Sequence, residues 1–151
     1  MKTKAPYLKL KVAIGIVGTL AIIGGVGFGL YYAFVKKELK TIIVKEQLLL
    51  SVQKTNESCP VMVDEETRLE GVMYHDEGHE LEYRYTMVNM LADGYDAASI
   101  QDEVEESIIS NINSDQSLAY AKANKVTFTY VYNDKYGDFL LKVRVTPDKY
   151  K

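Results

Sequence analysis

Between Lys11 and Lys36 the chain runs for 24 residues, Val12 to Val35, without one charged side chain. As an α-helix rising about 1.5 Å per residue, that run would be about 36 Å long, enough to cross a hydrocarbon core of roughly 30 Å with some tilt. Six glycines fall inside it. They would weaken a helix in water but are tolerated in lipid, where an unpaired backbone group costs more than the glycine does. A core helix of a water-soluble protein is rarely apolar on every face for so long. The run is also longer than the roughly 7–15 residues of a signal-peptide core, and its end, Leu30-Tyr31-Tyr32-Ala33-Phe34-Val35, offers neither a small-x-small cleavage site nor a cysteine for lipid attachment. The reading is an uncleaved transmembrane helix over residues 12–35, behind a basic tail of residues 1–11.

Lysines flank both ends almost equally: Lys2, Lys4, Lys9 and Lys11 before the span, Lys36, Lys37, Lys40 and Lys45 after it. The short, purely basic tail favours a cytoplasmic N-terminus and a C-terminal domain outside the cell membrane. Within the span, Ala13, Val17, Ala21, Gly25, Gly29 and Ala33 recur every four residues. The small members Ala21, Gly25, Gly29 and Ala33 would form a ridge that lets a second helix approach closely. The partners implied are the lipid bilayer and, through this ridge, another membrane protein or a second copy of the chain.

The remainder is water-compatible and acidic. Residues 36–151 carry all 21 acids against 14 bases, a net of −7, and Glu57 to Asp115 hold 16 acids and two arginines, a net of −14. Such a field excludes nucleic acid, whose phosphates need clustered lysine and arginine.

Residues 36–56 read as a helical stalk, with Leu39, Ile42, Ile43, Leu49 and Leu50 at three- and four-residue steps. In residues 57–151, strands are expected at Leu69 to Tyr74 and Glu80 to Val88, joined by the turn His75 to His79. Asp96 is the expected N-cap of a helix whose stripe is Ile100, Val104, Ile108 and Ile112. Ser114 is expected to cap a shorter helical piece ending near Asn124. A second hairpin, Val126 to Tyr132 and Phe139 to Thr146, closes the domain. This order predicts an α+β fold: an N-terminal transmembrane helix and helical stalk, then a four-stranded, mainly antiparallel sheet of two hairpins packed with one or two helices.

Few residues invite chemistry. His75 and His79 bracket Asp76 and Glu77, but Gly78 and the flanking strands place them on a turn, without the helical i, i+4 geometry of a zinc pair. Cys59 is surrounded by Glu57, Asp64, Glu65 and Glu66, which disfavour a thiolate. Asn111-x-Asn113-x-Asp115 opens like a calcium loop but lacks the glycine after Asp115 and has Lys122 at the closing position. The expectation is therefore no enzyme, no cofactor and no metal, with a thiol- or metal-dependent enzyme using Cys59 or His75 and His79, or a tethered small-ligand sensor, as alternatives. Tyr83-Arg84-Tyr85 and Tyr130-Val131-Tyr132 put paired rings on single faces of two strands, either packed under the helices with hydroxyls at the rim or forming a recognition surface; Tyr83 and Tyr85, with Glu103 and Glu106 on the acidic helix, are the candidate partner surface.

The stretch Cys59-Pro60-Val61-Met62-Val63-Asp64-Glu65-Glu66-Thr67-Arg68-Leu69, followed by Leu81-Glu82-Tyr83-Arg84-Tyr85-Thr86, resembles small bacterial envelope domains of uncharacterised function that are tethered by a helix or a lipid. The resemblance covers about residues 57–147. It implies an envelope location and a non-enzymatic role, and it carries no catalytic residues. The transmembrane helix and the acidic, tyrosine-rich domain beside it lead to the expectation of a single-pass membrane-anchored interaction module, as subunit or accessory factor of an envelope assembly.

Overall fold

The computed structural model describes residues 25–93, 96 and 100–151. The chain divides into two compact units, Met1–Ile43 and Val44–Lys151. In the first unit the described residues are helical, and Leu30, Tyr32 and Phe34 are exposed. Residues 12–24 of the expected span, Ala21 among them, lie outside the described residues. Among the described residues no helix is long and apolar enough to cross a membrane. Helix α1 (Gly25–Asn56) runs unbroken from the last part of the expected span to the end of the expected stalk.

The second unit is an α+β domain. Val44 and Leu48 of α1 are buried in its core, with Val52 packed against them, an i, i+4 stripe on one side of the helix. Five strands follow in the spatial order β1 (Val61–Met62), β2 (Thr67–His75), β3 (Glu80–Met87), β4 (Thr127–Asn133) and β5 (Phe139–Val145). All neighbours pair antiparallel except β3 and β4, which run parallel. The sheet thus has five strands rather than the four expected from sequence. The extra strand is β1, whose two residues are too few to show a two-residue period.

Two parallel neighbours cannot be joined by a tight turn, so the chain must cross over between them. The crossover carries α2 (Gln101–Ser114), a 3₁₀ turn (Gln116–Leu118) and α3 (Ala119–Ala123). Helix α2 buries Ile108 and Ile112 of the expected stripe. Its N-cap position is held by Ile100 without a side-chain cap, so Asp96 does not cap it. Ser114 does not open the next piece either: its hydroxyl donates to the carbonyls of Ser110 and Asn111 inside α2, and Asp115 caps the 3₁₀ turn by accepting from the Ser117 N–H at 2.8 Å. The core joins these helices to Leu81, Phe128, Leu141, Val143 and Val145 of the sheet. Tyr150 closes it from the C-terminus, donating to the Val126 carbonyl at 2.7 Å and meeting Phe128 edge-on.

The opposite sheet face is charged and self-paired. Glu82, 8% exposed, accepts from Arg84 at 2.7 Å with His75 at 3.5 Å, and Glu80 pairs with Arg144 at 3.1 Å. At the turn between β4 and β5, buried Asp134 accepts from the backbone N–H groups of Ala92, Tyr136 and Asp138, tying the start of the crossover to that turn.

Helix and sheet are locked where α1 ends. Because β1 pairs only as far as Leu69, the next stretch of β2 has no strand on that side. The Asn56 amide fills the place of one: it donates to the Val72 carbonyl at 2.8 Å and accepts from the Val72 N–H at 2.7 Å. A β-bulge at Glu70 and a glycine at 71 admit this side chain, since a Cβ on Gly71 would stand 3.2 Å from its oxygen. Replacing Asn56 by Ala removes both bonds and should cost about 1–3 kcal/mol in denaturant unfolding. Gly71→Ala should destabilise in the same direction, and unchanged midpoints for both variants would refute the lock.

Candidate functional site

The parallel register of β3 and β4 sets Tyr83 beside Tyr130 and Tyr85 beside Tyr132. Their rings stack in a continuous row: Tyr83 on Tyr130 with centroids 5.2 Å apart, Tyr130 on Tyr85 at 6.3 Å, and Tyr85 on Tyr132 at 5.2 Å, all within 16° of parallel. Stacked pairs of this kind add about 0.5–1.5 kcal/mol each beyond their burial. Tyr130 and Tyr85 have a ring on each side, so what they offer a ligand is ring edges and hydroxyls.

Above the row lies a groove of about 960 Å³. One wall is the end of α1 with the residue beyond it: Ser51, Lys54, Thr55 and Ser58. The other is the C-terminal half of α2 and the 3₁₀ turn, through Ile108, Asn111, Ile112, Ser117 and Leu118. Burial pushes the phenols up, Tyr83 and Tyr132 to about 12 and Tyr85 and Tyr130 further still. Asp115 adds to the shift at Tyr83 and Tyr130, and Asp64 to that at Tyr132, so a carboxylate stands near each end of the row. At neutral pH the floor is therefore four uncharged phenols, each able to donate and to accept a hydrogen bond. Asp64 is fixed in its turn by the N–H groups of Glu66 at 2.8 Å and Thr67 at 2.7 Å, and these bonds hold its carboxyl below the usual carboxylate range.

The expected site residues divide. Tyr83 and Tyr85 lie in the groove floor, whereas Glu103 and Glu106 are exposed on α2 and do not line the groove. Gly25, Gly29 and Ala33 lie on α1, Ala33 exposed, while Ala21 falls outside the described residues. Tyr130 and Tyr132 complete the row because β4 pairs with β3, a pairing that no local sequence pattern encodes. The polar residues of the two helical walls carry no sequence signal of a site.

The other candidates occupy structural positions. His79 is a half-buried bridge, its Nδ1 2.8 Å from the Tyr74 hydroxyl and its Nε2 2.9 Å from the Asn124 carbonyl. The carbonyl can only accept, so Nε2 donates to it, and Nδ1 shares a hydrogen bond with the hydroxyl. His79 is thus no exposed turn residue. His75 stands on the charged sheet face near Glu82. The Cys59 thiol lies 3.4 Å from the Thr55 carbonyl, and burial, with Glu70 nearby, pushes its pKa up. Among the described residues no group of three or more His, Cys, Asp or Glu side chains is placed to hold a metal ion.

The family described as Domain of unknown function (DUF8479) matches residues 43–141, well over half of the chain. The chain belongs to this family. The DUF8479 match takes in the whole groove, including its α1 wall. No curated protein matches the chain. Two solved structures share the fold of the DUF8479 domain. One is a "putative secreted protein" of Pseudomonas aeruginosa, 16% identical, with a TM-score of 0.61 over 74% of this chain and 96% of that one. The other is the pilotin EpsS of the Vibrio vulnificus type 2 secretion system, 12% identical, with a TM-score of 0.52 over 72% of this chain and 96% of that one. At these identities the likeness is one of fold.

Proposed function

We propose that this DUF8479 domain is the binding module of a membrane-anchored accessory protein of the cell envelope, holding a segment of a partner protein in the groove between α1 and α2. The observation that carries the reading is the tyrosine row. Four polar rings are built into the centre of the sheet at the cost of desolvating their hydroxyls, yet they lie under an open groove. Aromatic side chains that present a polar edge suit protein recognition. The fold shared with a pilotin, a protein named as part of a secretion system, supports an accessory envelope role. An envelope protein of this kind would be held by residues 12–35 as a single-pass helix, N-terminus in the cytoplasm, with Ala21, Gly25, Gly29 and Ala33 packing against a second membrane helix. Enzymatic readings find less support, because the Cys59 thiol is pushed away from its reactive form and His79 is committed to holding the fold.

A bulky residue in the groove tests the binding. Asn111 is exposed and its side chain makes no hydrogen bond among the described residues, so Asn111→Trp should abolish co-purification of the partner in mild detergent without lowering the thermal midpoint. Glu103→Trp, on the same helix but outside the groove, should leave the partner bound. Equal behaviour of the two variants would refute the reading. For the anchor, replacing Gly25 and Gly29 together by Ile should abolish association in a membrane dimerisation assay; undiminished association would remove the packing ridge from the account.

A further inference from the structure

The groove carries a carboxylate near each end of its tyrosine row and one lysine, Lys54, in its lining. Asp64 stands by Tyr132 and Asp115 by Tyr83, and both line the groove. Neither carboxylate takes part in an ion pair among the described residues. Five of the domain's cations pair with other carboxylates: Arg68, Arg84 and Arg144 on the charged sheet face, Lys45 on Asp76, and Lys149 on Glu105. Lys122 donates to the carbonyls of Ile112 and Asn113 at the end of α2. Lys54 is the single cation among the lining residues.

Between the two carboxylates lie the neutral phenols and a set of hydroxyl and amide side chains, groups that satisfy a peptide backbone and polar side chains without favouring either charge. Complementary charge at the ends of such a groove fixes the register of what enters it and speeds the encounter. From this arrangement we infer that the groove's occupant is a basic segment of the partner protein, with lysine or arginine side chains spaced to reach Asp64 and Asp115 while the intervening residues hydrogen-bond to the tyrosine row. The inference deepens the docking reading above and rests on it.

Site-specific photo-cross-linking separates the two. A photoreactive residue at Ser117, in the full-length protein in its native membrane, should link to one segment of a partner protein, and sequencing of the linked peptide should show lysine or arginine within it. Asp64→Asn combined with Asp115→Asn removes the charges and keeps on each side chain one oxygen able to accept from the backbone, the other oxygen becoming an amide NH2. That double variant should lower the cross-link yield about fivefold or more at low salt, with the thermal midpoint nearly unchanged and the loss shrinking as salt rises. A linked peptide without basic residues, a link to lipid or to a second copy of the chain, or a yield indifferent to the double substitution would overturn the inference while leaving the groove as a docking site or an interface. Absence of any link from Ser117 would overturn the docking reading as well.

Discussion

The parallel pairing of β3 and β4 is the constraint from which the rest of the domain follows. Two hairpins placed side by side in antiparallel order would need only a short link between them. Placed in parallel, they force the chain to cross from one end of the sheet to the other, and residues 88–126 make that passage with α2 and the 3₁₀ turn. The same pairing aligns Tyr83 with Tyr130 and Tyr85 with Tyr132. One topological choice thus produces both the floor of the groove and one of its walls. The second wall comes from α1, whose terminal Asn56 is pinned to Val72 where the short strand β1 stops pairing.

The two faces of the sheet handle polarity in opposite ways. On the outer face charges are matched within the domain, in pairs such as Glu82 with Arg84 and Glu80 with Arg144. In each pair the carboxylate is largely buried while the arginine reaches solvent, so the charge is answered within the domain and that face has no unpaired glutamate at these positions. On the helix face the polar groups are phenols, uncharged at neutral pH, with a carboxylate near each end of their row that is in no ion pair among the described residues. Glu103 and Glu106 are acidic and exposed, but they do not line the groove.

Much of this architecture is legible in the sequence, for reasons that can be named. The alternation of Leu81, Tyr83, Tyr85 and Met87 marks β3, the Ile108 and Ile112 stripe marks α2, and the glycine- and aspartate-rich turns mark the hairpin ends, because each is a local period or a local turn chemistry. What the sequence hides is non-local. Strand β1 is too short to have a period. The helix start at Gln101 lacks any side-chain cap to read, so Asp96 misleads. Half of the tyrosine row depends on which strand lies beside β3, and the role of Asn56 depends on a gap in pairing sixteen residues away. His79 reads as an exposed turn residue until Tyr74 and Asn124 are brought to it by the fold.

The account stands on the groove over the tyrosine row being the place where a partner protein sits. The most direct test is the structure of the full-length chain in complex with its partner, purified in mild detergent from native membranes. The account predicts a partner segment lying between α1 and α2, within hydrogen-bond distance of the Tyr85 or Tyr130 hydroxyl and with a basic side chain at Asp64 or Asp115. A partner bound on the charged outer face of the sheet, with the groove empty, would contradict it.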